Sequence, residues 1–403
     1  METGKEEYLL LQLLGEGLTE KEPAESCAVA AMDEKVKKTM DWNRLETVAR
    51  RHSVLSLLCY PCMGTEELPE QLRKAVAQEA RGIVLQSYRL LFATRAAVRQ
   101  LEGAGIPVAV LKGVAAARSY PEPELRKAGD IDLLVHPEHL EAACRELEKI
   151  GCRVAERQPA LHHVVLVTEE GIETEIHTML AEPFDNEQIN EYLKEKLPEC
   201  LEHRVRREVM GVELPMLDYG CHAFELLLHM LQHFLRSGFG LRFLCDWVVL
   251  WREEVSEKER RRYLELVRES RVKGFSDMVT KACCQYLGLE KERVDWMGLP
   301  MQLRAEGFMR EVLEAEEFGK SSKERMVVLR KPGLVGYVWE FQHQMHLNFP
   351  RAGKWFPLWP VLWVVTLIRF LRNNRKIRGV SGRTILRKAS ERSRVMEQMK
   401  LWK

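Results

Sequence analysis

The sequence predicts an α+β fold, a small mixed sheet set between helical segments. Three observations predict it. Apolar residues recur every three or four positions over residues 1 to about 104 and again from about 185 onward, the period of helices. Between them, from Ile106 to Leu180, the pattern shortens to brief apolar runs bounded by turn residues, which is how strands read. Finally, 403 residues at 46% apolar and 30% charged is a globular composition, long enough for two or three buried cores.

The elements follow in order. From Leu72 to Leu101 the helical period runs into "RQLEGAGIP", where Gly103, Gly105 and Pro107 stop it. The run Ile83 to Leu85 is too short to stand as a strand against that period. "IPVAVLKG" then reads as a buried strand, "VAAARSY" as a short helix, and "DIDLLV" as a second strand. "PEHLEAACRELEKIG" is a helix with Pro137 at its start and Gly151 beyond its end. "HHVVLVT", the turn Glu169 to Gly171 and "IETEIHTML" form an antiparallel hairpin. From about Asp185 the chain is mainly helical, and the apolar stretch Cys221 to Trp251 breaks at Ser237-Gly238 and resumes. The expected organisation is a helical region 1–104, an α/β core 105–182, a helical domain 183–350 closing over it, and a basic, Trp-rich tail 351–403.

The formal charge of +1 hides an asymmetry. Residues 351–403 carry 14 Lys or Arg against Glu391 and Glu397, a segment charge of +12 that leaves −11 for the rest. A basic tail on an acidic body implies nucleic acid, an anionic lipid surface, or the body's own acidic face as its partner. The uncharged run Trp355 to Ile368 spans 14 residues and contains Pro357 and Pro360. That is short of the roughly 20 residues a membrane-spanning helix needs, and suits an interfacial helix or a buried one ended by cations.

Ten cysteines lack a repeating interval, and no apolar leader follows "METGKEEYLL". Reduced thiols and a cytoplasmic protein, peripheral to a membrane at most, are therefore expected. Cys59 and Cys62 form a lone CxxC in a helical region, without the second pair a zinc site needs.

The chemistry concentrates in the two central strands. Alternation puts Asp130 and Asp132 on one face and Ile131 and Leu133 on the other. Carboxylates that close repel one another unless a hard divalent cation, Mg²⁺ or Mn²⁺, sits between them, usually with substrate phosphates. The hairpin's second strand repeats the device, with Glu173, Glu175 and His177 on one face. A third acid reaches the same cation if the strands are neighbours. Lys112 beside Gly113, at a turn into a helix, would face phosphate oxygens.

This ordered set resembles the nucleotidyltransferase superfamily typified by DNA polymerase beta. More closely it resembles the bacterial uncharacterised nucleotidyltransferases, which carry "LKG", Tyr-Pro, an Arg and "DIDLLV" in this order, here Leu111-Lys112-Gly113, Tyr120-Pro121, Arg126 and Asp130 to Val135. An acid-x-His strand is matched by Glu175-Ile176-His177, and a later helix with His and then Asp by His229, His233 and Asp246. The resemblance implies Asp130, Asp132 and Glu175 as catalytic Mg²⁺ ligands, with Glu175 alternatively the base for the acceptor hydroxyl. It also implies Lys112, Gly113, Arg126 and His177 at the nucleotide and its phosphates. Val114 stands where the pattern has Gly or Ser, and by strand parity Glu173 competes with Glu175. The implied reaction moves NMP from an NTP such as ATP to an acceptor, whether small molecule, peptide, protein or nucleic acid, with release of pyrophosphate. The alternative is a catalytically silent nucleotide-binding or scaffold protein.

Further residues have two readings each. Glu225, His229 and His233 share a helix face, as core groups, as a metal stripe, or as the face that closes over the nucleotide. Arg126 clamps a phosphate or pairs with Glu124. Tyr120 stacks on a base or packs beneath its loop. His162 and His163 open a strand beside the site and point to opposite sides.

Overall fold

The computed structural model describes residues 4–19, 28–29, 32–63, 67–158, 163–315, isolated positions between 342 and 349, 355–373 and 394–401. His162 and, in the basic tail, residues 351–354, 374–393 and 402–403 lie outside the described residues.

The chain opens with α1 (Lys5–Gly17), α2 (Glu34–Thr39), α3 (Trp42–Arg51), α4 (Cys59–Met63) and the long α5 (Glu70–Gly103). Ile83 to Leu85 lie inside α5, as the helical period requires. Cys59 and Cys62 sit on α4 and are not joined in a disulfide.

The central sheet contains β1 (Val108–Leu111), β2 (Ile131–Val135), β3 (Arg153–Gln158), β4 (His163–Val167), β5 (Glu173–His177), β6 (Val205–Val209) and β7 (Val212–Met216). Their order is β3-β4-β5-β2-β1-β7-β6. β2 lies parallel to β5 and β1 parallel to β7, while the other neighbours are antiparallel, so the sheet is mixed. The short α6 (Lys112–Ala117) connects β1 towards β2, and α7 (Leu140–Lys149) connects β2 to β3. The expected hairpin is β4 and β5, turning at Gly171.

Three strands differ from the sequence reading. β3 is an edge strand whose charged residues face water, so no apolar alternation announces it. β6 and β7 fall in the stretch read as helical from residue 183, yet they extend the same sheet on its other side. They form a hairpin through Met210 and Gly211, both at positive φ (47° and 79°), the backbone of a two-residue turn.

The two faces of the sheet have different covers. Val108, Val110, Ile131, Leu133, Val135 and Ile176 point into a core with Leu90, Leu91, Val98 and Leu101 of α5 and Ala143 and Leu147 of α7. Alternation turns Ala109, Leu111 and Leu134 to the other face. There they join the larger core of α9 (Tyr219–Arg236) and α10 (Leu241–Arg252). α9 and α10 are the expected broken helix, with Gly238 at φ 87° in the break. Around them stand α8 (Glu187–Glu202), α11 (Glu257–Glu269), α12 (Lys273–Tyr286), α13 (Lys291–Val294) and α14 (Glu306–Ala315).

A helix at Trp359–Asn373 carries exposed Val361, Val364 and Ile368. Among the described residues no helix is long and apolar enough to cross a membrane.

Candidate active site

The sheet face turned towards α9 carries the polar residues. β1 ends at Leu111, opposite Asp132 of β2. The parallel register of β2 and β5 then sets Asp132 opposite Glu175 and Leu134 opposite His177. The two candidate glutamates are set apart: Glu175 stands beside Asp132, and Glu173 is exposed at the far end of β5, opposite Val167 of β4. Carboxylate oxygens of Asp132 and Glu175 and a ring nitrogen of His177 lie within 4.8 Å of one another. His177 Nε2 is 2.8 Å from Asp132 Oδ1 and 3.2 Å from Glu175 Oε2. The sequence reading gave His177 to the nucleotide; the structure puts its ring nitrogen among the carboxylates, because Leu134 and not an acid stands opposite it in β2. His163 backs onto His177 from β4, ring centroids 5.6 Å apart.

Lys112 enters the same cluster. Its Nζ donates to Asp132 Oδ1 at 2.9 Å and lies 3.3 Å from His177 Nε2. Its backbone has φ 43°, a left-handed conformation that costs a residue with a side chain about 1–3 kcal/mol and persists where surrounding structure imposes it. The lysine expected at a phosphate therefore rests on Asp132 and His177.

The charges are strongly coupled. Burial pushes the Asp132 carboxyl up, but the Lys112 ammonium and the His177 hydrogen bond prevail and hold it well below the ordinary carboxylate value. The His177 hydrogen bond holds Glu175 below its ordinary value against burial. Burial and Lys112 push His177 down, and its bonds to Asp132 and Glu175 outweigh both, so it ends above its ordinary value. Lys112 stays charged: burial opposes it, and Asp132 and then Glu225 overcome burial. Asp130 stands one residue before β2, outside the cluster of three, and lines the same cavity. Burial and the Asp132 charge push it up to about 6.

The cavity measures ≈ 440 Å³, within the range of small-molecule sites. Gly113, Lys127 and Asp130 line its loop side and Glu225, His229, His233 and Arg242 its helical side. The face of α9 noted in the sequence therefore does look into the cleft. His229 and His233 pack edge to face at 4.5 Å and both contact the Phe243 ring. Burial and the Lys112 charge push His233 down to about 4 and His229 well below its ordinary value, leaving neutral rings near neutral pH. Neither belongs to the cation cluster. A methyl group at Gly113 would meet Ala128 Cβ at 3.4 Å and the Asp130 carbonyl oxygen at 3.5 Å, ordinary contact distances.

Arg126 lines the cavity, and its guanidinium is held by an acid of the neighbouring helix. It forks onto Asp246 of α10, Nε to Oδ1 at 3.0 Å and Nη2 to Oδ2 at 2.7 Å, with both residues 3% exposed. Asp246, 120 positions away, is thus its partner in place of Glu124. Tyr120 is packed beneath its loop and donates its hydroxyl to Asp246 Oδ1 at 2.7 Å. Burial pushes Asp246 up and Arg126 more than compensates, so it remains ionised.

What the sequence missed is the isolation of Glu225. Its spacing from His229 and His233 marked the face, but not that it is 0% exposed with neither carboxylate oxygen hydrogen-bonded.

Two carboxylates and an imidazole fit a divalent cation. No curated protein matches the chain. Among solved structures, an antigenic nucleotidyltransferase-like protein from Paracoccidioides brasiliensis is similar at 13% identity over 53% of this chain and 93% of that one, with a TM-score of 0.29. The family described as uncharacterised nucleotidyltransferases matches residues 38–288, which is more than half of the sequence and includes the whole sheet and the cavity, and the chain belongs to that family.

Proposed function

We propose that the protein is a Mg²⁺- or Mn²⁺-dependent nucleotidyltransferase that moves NMP from an NTP to a hydroxyl of an acceptor, releasing pyrophosphate. The observation that carries this reading is the Asp132, Glu175 and His177 cluster on the wall of a ≈ 440 Å³ cavity, in a chain of a nucleotidyltransferase family. Asp132, Glu175 and His177 would hold the cation, which supplies charge neutralisation at the transferring phosphate and orients its oxygens. The acceptor oxygen bonds to the α-phosphorus, the bond from that phosphorus to the bridging oxygen of the β-phosphate breaks, and pyrophosphate leaves. The hydroxyl proton passes to a carboxylate beside the cluster, Glu175 or Asp130. Lys112, Lys127 and Arg242, which line the cavity, supply positive charge for the triphosphate.

The test is calorimetry with ATP, GTP, CTP and UTP, each with and without Mg²⁺, followed by a lysate incubated with each α-labelled NTP. Expected are Mg²⁺-dependent nucleotide binding, label transferred to one molecular fraction, and loss of both by at least about 100-fold in Asp132→Asn, since a lost metal ligand costs at least as much as the 10–100-fold of an outer-shell partner. Nucleotide binding with no label transfer in any fraction favours the catalytically silent reading. Mg²⁺-dependent binding that survives Asp130→Asn and Asp132→Asn together removes the cation site.

A further inference from the structure

Among the described residues no side chain hydrogen-bonds to Glu225, and it shares the cavity with the Lys112 ammonium, which a divalent cation would disturb. Glu225 lies on α9, lines the cavity, is fully buried, and neither carboxylate oxygen makes a hydrogen bond. The Lys112 backbone N–H acts on it without closing a full hydrogen bond. A buried carboxylate in that state is costly unless a partner arrives. The charged groups that act on it are Lys112 at the β1–α6 junction, Asp132 of β2 and His177 of β5.

Lys112 is held elsewhere, 2.9 Å from Asp132 Oδ1 and 3.3 Å from His177 Nε2. It therefore stands against two of the three residues that would bind the cation. A divalent ion on those ligands and an ammonium on the same Asp132 oxygen repel strongly at such distances. The ammonium has to leave, and the lysine stem is flexible enough to carry it. After Asp132, the acid that acts most strongly on Lys112 is Glu225.

We infer that Glu225 is a positioning residue that receives the Lys112 ammonium when a divalent cation takes Asp132, Glu175 and His177. Loading then exchanges the Lys112–Asp132 pair for two contacts, cation to Asp132 and lysine to Glu225, and Glu225 releases to solvent the proton that burial lets it hold in the absence of the cation. The exchange makes Lys112 the site's own counter-ion in the absence of metal. It rests on the reading of those three residues as the cation site.

The experiment is Mn²⁺ titration of the full chain, followed by the free-ion paramagnetic resonance signal, for the native protein, Glu225→Gln, Glu225→Asp, Lys112→Met and the Lys112→Met/Glu225→Gln double variant. Native-like circular dichroism is required of each. The expected result is Mn²⁺ affinity about tenfold weaker in Glu225→Gln, within the usual 5–150-fold range of site-to-site coupling, and partly restored in Glu225→Asp. In the Lys112→Met background Glu225→Gln should then change affinity less than about twofold, because the acid has no lysine to receive. Equal weakening in both backgrounds overturns the inference, since Glu225 would then act on the ion or on the fold directly. No weakening in either also overturns it. Should Glu225→Gln not fold, Glu225→Asp in the two backgrounds carries the same comparison. Native affinity retained in Asp132→Asn is a different failure and removes the cation site itself.

Discussion

Glu225 and Asp130 hold their protons far above the ordinary carboxylate range, and this has a sign in stability. Burial, opposed by Lys112, leaves Glu225 at about 8 against an ordinary 4.5. Across that interval the folded protein keeps a proton that the unfolded chain has released, so stability falls as pH rises from about 4.5 to 8. Asp130, at about 6, adds to the fall at the lower end of the window. Glu225→Gln lacks the titration. With divalent cations chelated, it is expected to match the native protein at pH 4.5 and exceed it by about 1–3 kcal/mol at pH 8.5, the usual penalty of one unsatisfied buried polar group. Urea unfolding at the two pH values measures this, and a native protein equal or superior at pH 8.5 contradicts it. Much of this scale was legible in the sequence: Lys112, Asp132, Glu175 and His177 were all named from strand alternation and order. Glu173 and Glu175 were not separable, because they share parity and only the β2–β5 register distinguishes them. The setting of Glu225 was not legible either, because what faces it, Lys112, Asp132 and His177, comes from elements distant in sequence.

Between elements, Asp246 ties the loop before β2 to α10. It accepts two bonds from Arg126 and one from Tyr120, and so sets where the Asp130–Asp132 segment enters the cavity. Both members of the ion pair are 3% exposed, and removing one leaves the other charge buried without compensation. Asp246→Ala is therefore expected to destabilise the protein by about 3–5 kcal/mol. Tyr120→Phe, which keeps the ion pair and loses one hydrogen bond, should cost about 1 kcal/mol. Urea midpoints read both, and similar small losses in the two variants would show that the pair is not the joint. The sequence offered Arg126 two nearer partners, a phosphate or Glu124, because a pairing across 120 positions has no local signal. The β6–β7 hairpin was missed for another reason. "VRREV" and "VELPM" do alternate around Met210-Gly211, but Pro215 inside the second run argues against a strand. Pro215 fits because β7 pairs with β1 only at Met216, one residue on.

The molecule as a whole closes with a segment near its end. Of the basic tail, residues 394–401 pack through Val395 and Met399 into the large core. The segment sits on two glycines. A Cβ on Gly274 of α12 would fall 1.8 Å from the Met399 carbonyl oxygen, and one on Gly307 of α14 would fall 3.0 Å from Val395 Cγ2. The first distance involves backbone, so no side-chain rotation relieves it, and the segment must lift. Gly274→Ala is accordingly expected to release residues 394–401, expose Met399 and Phe275, and speed tryptic cleavage after Arg394 and Lys400 by about tenfold or more, the opening being worth at least 1.4 kcal/mol at that ratio. Gly82→Ala is the contrast. That position lies on the exposed face of α5 with nothing within 4 Å of the added methyl, and it should stabilise the protein by about 0.8–1 kcal/mol through helix propensity alone. Two substitutions of identical chemistry then move in opposite directions, because one helix surface is covered by backbone and the other by water. Cleavage unchanged in Gly274→Ala would mean that the segment does not rest on α12 in solution.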